Sequence, residues 1–521
     1  MANVGGPTGW ALARIGVTRS AAWPAALVLC ALVLGQLPLL LSACCAPTGA
    51  SGLGTVWFIN DFAQYESAMR QGRDGPGWLI YDAFTTEPHR PALMFTLYVA
   101  VGKLAAFTHL PLEALERTLE IAARALFVLA LWRFSQAFAT DRGSARAALL
   151  LALLGSGFEV FAALLGSTYT GNWSYETNSL GLLFAAPHVP LAMAASLELA
   201  RGWLRSRSRL TPLDIVAAAA LGAAVAALHP FHAPVLLSAM LVTGVVFWRG
   251  RHGPSTLVGA LAAACGALPL LWTTVQLFSF DAFWAATYSV QNLLPSPAPH
   301  ELLVDLGPSL LLALWGAFAL RARVAPFGLL MWLLFAAMAM YLPVPYQRRL
   351  SFGLQPALAL VAANSLAWAC GALRPSRAAT LRLAVVATAA SGTLLILSSV
   401  VSSALSGGPL PVYRSTTDLD AAAGWLGANA REGEVIMADW TVSNYLAPRT
   451  PARVIGGHPV ATLDASDKQM MIAIAFSHQA SAAVARQFGA HWLVYTPAQH
   501  HLPGLSAAFQ SGEVRVFRLA P

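Results

Sequence analysis

The side chains able to do chemistry stand in short polar stretches between long apolar runs. The first such stretch reads FINDFAQYESAMRQGRDGPGWLIYDAFTTEPHR and carries Asn60, Asp61, Tyr65, Glu66, Glu87, His89 and Arg90. A carboxylate placed like Asp61, a short way beyond an apolar run, can act as general base toward a hydroxyl. Glu66, one turn further on, and Glu87, across the Gly75–Gly77 turn, are the alternative carboxylates. His89 and Arg90 can hold a phosphate, because a guanidinium pairs with phosphate oxygens as a fork. A second basic pair, Arg348–Arg349, follows Tyr346 and Gln347 in PVPYQRR. His188 in APH, and His229 and His232 in LHPFH, stand at the ends of apolar runs, where an ionisable group is costly. With Tyr65, Tyr346 and Gln347, His188 and His229 are candidate substrate contacts. Taken singly, Asp61 also fits an ordinary solvated loop, and a lone boundary histidine also fits a structural role. The five cysteines form no CxxC pair, so no metal or redox site is expected from them.

The elements that must position these groups follow from composition. Of 521 residues, 57% are hydrophobic and 11% charged, against about 25% charged in soluble domains. Lipid is therefore the main solvent. The net charge of +8 lies in short loops between apolar runs and reads as a topology signal, not a nucleic-acid surface. A span needs about 20 mainly apolar residues. Such runs lie near 22–44, 117–139, 145–166, 183–203, 213–230, 232–248, 255–278, 303–320, 325–342, 351–371 and 381–403. The expected architecture is a polytopic α-helical membrane protein of about eleven helices. The LLLSACC end of the first run resembles a lipoprotein signal, but the run is long and many more follow, so an uncleaved helix is expected.

One further run, 91–109, is interrupted by Lys103 and bounded by Pro91 and Pro111. If it does not cross, the clusters Arg14/Arg19, Arg133/Arg142/Arg146, Arg205/Arg207/Arg209, Arg249/Arg251, Arg321/Arg323 and Arg374/Arg377/Arg382 all fall on one side. The positive-inside rule makes that side cytoplasmic. If it does cross, the later clusters face outward. The first arrangement is expected: 91–109 is a surface or re-entrant helix, the N-terminus is cytoplasmic, and loop 45–116 and the tail after 403 are outside. Arg348 and Arg349 then break the charge rule, which points to an anionic partner on the outer face.

The tail alternates helical and strand patterns: a helix at 418–429, strands at 434–439, 452–457, 491–495 and 514–519, and helices within 466–489. The chain thus divides into a transmembrane part, 1–404, and a small extracytoplasmic α/β domain, 405–521. No GxGxxG or P-loop opens a helix there, so nucleotide binding is not indicated. Asp439 can cap the helix that starts at Trp440 or reach a site.

These motifs together resemble the polytopic glycosyltransferases of the C superfamily, of the protein mannosyltransferase and aminoarabinose transferase kind. The likeness rests on the acidic residue in FINDFAQYESAMRQG, the segment EPHRPALMFTLYVAVGKLAAF before the second span, and an α/β unit after the last span. It implies a polyprenyl-phosphate sugar as donor, a lipid, glycan or protein acceptor, and a place in the bacterial inner (plasma) membrane. It places the catalytic carboxylate at Asp61 and the donor phosphate near Arg90, Arg348 and Arg349. Many members pair two acidic residues, whereas the neighbour here is Asn60, which leaves a divalent metal open. The expected chemistry is a single inverting displacement, with Asp61 taking the acceptor proton and the basic groups receiving the leaving phosphate. A transporter or flippase is one alternative, although no internal repeat is visible. A non-catalytic assembly or sensor protein with a binding tail is another.

Overall fold

A computed structural model describes residues 22–45, 49–52, 59–166, 174–205, 210–250, 253–320, 324–406, 414–478, 480–496 and 505–519. Arg14, Arg19, Arg207, Arg209, Arg251, Arg321 and Arg323, which carry part of the topology argument, lie outside these residues.

The apolar runs are helical, and among the described residues five stretches are long and apolar enough to cross a membrane: Ala25–Cys44, Leu112–Phe138, Gly253–Phe280, Gln347–Cys370 and Pro375–Ser402. Thr96–Thr108, Pro212–Leu228, His232–Val246 and Pro326–Ala339 are apolar but shorter. Several expected runs are broken. Residues 145–166 divide into Arg142–Leu154 and Glu159–Leu164. The run at 303–320 belongs to Pro299–Leu320, which kinks at Gly307 (φ 38°) before Pro308. Polar caps stop these helices from fraying where loops begin. Asp141 accepts from the Ser144 N–H, and Thr211 and Asp214 form a reciprocal capping box. Large apolar side chains such as Leu29, Val33, Trp272, Phe280 and Leu383 remain exposed on the helices, as lipid-facing residues do.

The first loop builds the frame of the site. The helix Ile59–Asp74 packs along Thr96–Thr108. The two approach closely because Gly72 faces Val99 and Gly102 faces Met69. A Cβ on Gly102 would lie 2.0 Å from the Met69 carbonyl oxygen. Lys103, the charge that interrupts run 91–109, turns toward the connecting turn and donates to the Pro76 carbonyl at 3.1 Å.

The tail forms a sheet. A short antiparallel pair, β1 (Ala50–Gly52) and β2 (Arg414–Thr416), ties its start to the end of the first helix. The main sheet holds β3 (Val435–Met437), β4 (Arg453–Val454), β5 (Trp492–Tyr495), β6 (Ala507–Ser511) and β7 (Val514–Arg518). Their order is β4-β3-β5-β7-β6, with β4, β3 and β5 parallel and β7 antiparallel to its neighbours. The strand β6, absent from the sequence reading, forms a hairpin with β7. The helices expected within 466–489 are Ala465–Ser477 and Ser481–Gln487. Asp439 caps Trp440–Leu446 by accepting the Thr441 N–H. The sheet does not close its core alone: Ala63, Ala83 and Phe84 of the first loop pack with Ala422, Leu426, Ile436, Val454 and Trp492.

Candidate active site

The loop after Ile59–Asp74 closes on itself through a bridge between Ile80 and Ala92, with N–H···O distances of 3.0 and 2.9 Å. Inside it, His89 accepts the Asp82 N–H at Nε2 (2.9 Å) and lies 2.8 Å from the Glu87 carbonyl at Nδ1. Those partners define a neutral ring with its hydrogen on Nδ1. Its face stacks on Phe283 at 4.2 Å. Both nitrogens of His89 are thus used to shape the loop. The Arg90 side chain is exposed, and its carbonyl accepts from Trp284 Nε1 at 3.1 Å. Glu87 accepts from Lys468 at 2.5 Å and from the Thr85 hydroxyl.

The tail docks on this loop through polar contacts at both ends. The Val454 N–H donates to the Ala83 carbonyl (2.9 Å), and Thr462 Oγ1 to the Phe84 carbonyl (2.8 Å). Arg449 pairs with Glu66 at 3.0 Å. Gln291 donates to the Val460 and Thr462 carbonyls and accepts from the Asp464 N–H.

Between tail and helices lies a recess with Asp61 on its wall. Its side chain keeps 41% exposure although protein surrounds it. His458 Nε2 lies 3.5 Å from Asp61 Oδ1. Burial works to raise the Asp61 pKa. The contact with His458, together with Arg349 and His188, outweighs it and holds the carboxyl below its usual range. Tyr65, one turn along, stacks on Tyr98 with ring centres 4.4 Å apart and meets the edge of His188 at 5.1 Å. The Tyr98 hydroxyl and His188 Nδ1 are 2.8 Å apart.

Arg349 lies within charge reach of Asp61, Tyr65, Tyr175 and Glu176. Its guanidinium sits 5.1 Å from the Phe231 ring centre. Its Nε is buried without a hydrogen-bond partner among the described residues. Arg348 is differently engaged, 3.6 Å from Glu176. Tyr346 packs on Phe231 at 4.7 Å, and Gln347 accepts the Ser296 N–H at 3.2 Å. His229 is buried and stacked on Phe352 at 4.1 Å. The structure therefore gathers Asp61, Tyr65, His188 and Arg349 around one recess. His89, Arg90 and Glu87 belong to the adjoining loop. Among the described residues, no three His, Cys, Asp or Glu side chains converge as a cation site.

Asp82 is a further buried carboxyl of that loop. It accepts the Phe84 N–H (2.8 Å) and the Tyr288 hydroxyl (3.3 Å). Burial pushes its pKa up to about 7, against those two hydrogen bonds and with repulsion from Glu87. The folded state thus holds a proton that the unfolded chain has released, and stability from this group is lost as pH rises through about 7. Asp82→Asn mimics the protonated form. In detergent, the variant should melt above the wild type at pH near 8.5, and that advantage should shrink as pH falls through about 7 and vanish only below about 4, where the unfolded aspartate is protonated as well. Parallel melting-temperature curves for the two proteins would refute this.

The fold is similar to that of solved structures of an oligosaccharyltransferase and of ArnT. Three solved structures carry that likeness. The oligosaccharyltransferase of Archaeoglobus fulgidus without ligand superposes with TM-score 0.51 and 14% identity over 91% of this chain and 70% of that one. The oligosaccharyltransferase AglB from Archaeoglobus fulgidus, in complex with an inhibitory peptide and a dolichol-phosphate, gives TM-score 0.51 and 14% identity, over 91% and 69%. ArnT from Cupriavidus metallidurans bound to undecaprenyl phosphate gives TM-score 0.52 and 14% identity, over 96% and 98%. No family model and no curated protein sequence matches the chain.

Sequence reasoning missed His458, Gln64, Asp82, Lys468 and Arg449. One signal was available for Lys468: it and Lys103 are the only lysines among 32 basic residues. His458, in IGGHP at the end of a strand, carried no such mark.

Proposed function

We propose that the protein is a membrane glycosyltransferase that takes a sugar from a polyprenyl-phosphate donor at the outer face of the membrane. The observation that carries this reading is a carboxylate, Asp61, that keeps solvent exposure amid protein and lies within charge reach of Arg349, whose Nε has no hydrogen-bond partner among the described residues. Burying a guanidinium without a hydrogen-bonding anion costs several kcal/mol, so the recess suits an anionic ligand. A polyprenyl phosphate presents that anion at the membrane surface, and it is the ligand class seen in AglB and ArnT.

In this mechanism the donor phosphate pairs with Arg349, with Arg348 beside it. Tyr65, His188 and Tyr346 wall the sugar and headgroup region. The acceptor hydroxyl attacks the anomeric carbon as the bond to phosphate breaks. Asp61 takes the hydroxyl proton, and Arg349 receives the charge that develops on the leaving phosphate. A single displacement inverts the anomeric centre. A low Asp61 pKa keeps the carboxylate ionised but makes it a weak base. Donor binding changes this, because the phosphate neutralises Arg349 and so removes part of what lowered the pKa.

The test is direct. Purified protein in detergent should consume a polyprenyl-phosphate sugar and release the lipid phosphate in the presence of acceptor. In sealed vesicles, turnover should require both substrates on the side from which Gly75→Cys is labelled. Activity seen only as movement between compartments would make the protein a transporter instead.

A further inference from the structure

We propose that His458 is a positioning residue for Asp61, so that the segment after the last apolar helix completes the site instead of standing beside it. The inference rests on Asp61 being the reacting carboxylate. His458 is fully buried, and its Nδ1 accepts the N–H groups of Val460 and Ala461, both at 3.0 Å. A ring nitrogen that accepts two backbone N–H groups carries no hydrogen, so the ring hydrogen sits on Nε2. That is the nitrogen facing Asp61 at 3.5 Å. The separation is long for a hydrogen bond, and catalytic bonds in unliganded sites often are.

The ring is braced from behind. The Gln64 amide lies against the ring, 2.6 Å from Nε2 and 2.9 Å from Nδ1. Because Nε2 bears the hydrogen, the amide atom facing it is the oxygen, an assignment made by the network, and the one Nε2 hydrogen is shared between Gln64 and Asp61. The amide nitrogen then faces the Tyr288 hydroxyl at 3.3 Å, and that hydroxyl donates to Asp82 at 3.3 Å. Phe84 meets the ring at 5.5 Å. Asp61, His458, Gln64, Tyr288 and Asp82 thus form one chain across the helix Ile59–Asp74, the loop after it, the segment near 288 and the tail. An aspartate held by one oriented donor keeps its carboxylate aimed into the recess.

The test reads Asp61 itself and needs no substrate. The rate of carbodiimide modification at Asp61, followed by mass spectrometry across pH in the intact detergent-solubilised protein, reports its protonation midpoint. His458→Asn keeps an acceptor near the Val460 and Ala461 N–H groups but lacks the donor toward Asp61. Its midpoint should rise by about one pH unit. His458→Gln can place an amide N–H near the former Nε2 and should stay close to the wild type. Arg449→Ala, which cuts a docking ion pair only, should also leave the midpoint in place. Equal midpoints for His458→Asn and the wild type would overturn the proposal, as would an equal shift from Arg449→Ala. If the midpoints separate as expected but no polyprenyl-phosphate donor is ever turned over, the transferase reading falls and the placement of Asp61 by His458 stands.

Discussion

Asp61→Asn should express and bind donor close to normally while losing at least about a hundredfold in turnover. Asparagine keeps the size and hydrogen-bonding shape of aspartate but cannot take a proton, and general-base help is worth about a hundred- to ten-thousand-fold. The competing carboxylates are engaged elsewhere. Glu87 is paired with Lys468 and Glu66 with Arg449. Glu87→Gln should therefore lower stability by leaving the buried Lys468 unpaired, while the folded enzyme keeps most of its turnover. The pH profile adds a second reading. The free-enzyme parameter kcat/KM should hold its plateau down into the acid range, because Asp61 sits below the usual carboxylate value. It should fall only as Asp61 protonates. In the donor complex Arg349 is occupied by phosphate, so the acid limb of kcat should lie at higher pH than that of kcat/KM. Steady-state kinetics with a fixed donor measure both. Loss of activity in Glu87→Gln with retention in Asp61→Asn would move the base to Glu87.

Arg349→Gln should cost about a hundredfold in kcat/KM for the donor, and Arg348→Gln clearly less. Both arginines stand together in the sequence, but their surroundings differ. Arg348 is close to Glu176 and already has a counter-charge. Both have an Nε without a hydrogen-bond partner among the described residues, but Arg349 shares the charge field of Asp61. A leaving phosphate needs a donor that gains strength as charge develops, and Arg349, in the charge field of Asp61, is the better placed of the two to supply one. Arg349→Lys should recover part of the loss, since the charge returns but the planar fork does not. The measurement is donor-dependent initial rate, with gel filtration in detergent to establish folding. Equal effects from the two arginines, or none from Arg349→Gln, would remove the phosphate from this place.

These expectations divide by what a one-dimensional reading can carry. Apolar runs identify a lipid-embedded helical chain because burial in hydrocarbon is a sum over residues, and a sum survives without knowing the fold. The alternation of helix and strand signals after residue 410 likewise outlined an α/β tail, since capping and strand patterning are local. Asp61 and the Arg348–Arg349 pair stood out because a charge next to an apolar run is visible as such. Which charges meet was not visible. His458 comes to Asp61 across nearly four hundred residues, and only the docking of the tail on the first loop, through Val454, Thr462, Lys468 and Arg449, brings it there. The same docking divides the neighbouring ionisable residues of the first loop. Glu66 and Glu87 are neutralised by partners on the tail, His89 is spent on its own loop, and Asp61 alone of these faces the open recess. Helix breaks at Gly155–Gly157 and Gly307 also depend on contacts between distant backbones, and so the run lengths did not report them. Electrostatic pairing falls off with distance in space and not along the chain, so the tertiary structure decided which of the candidate residues form a site.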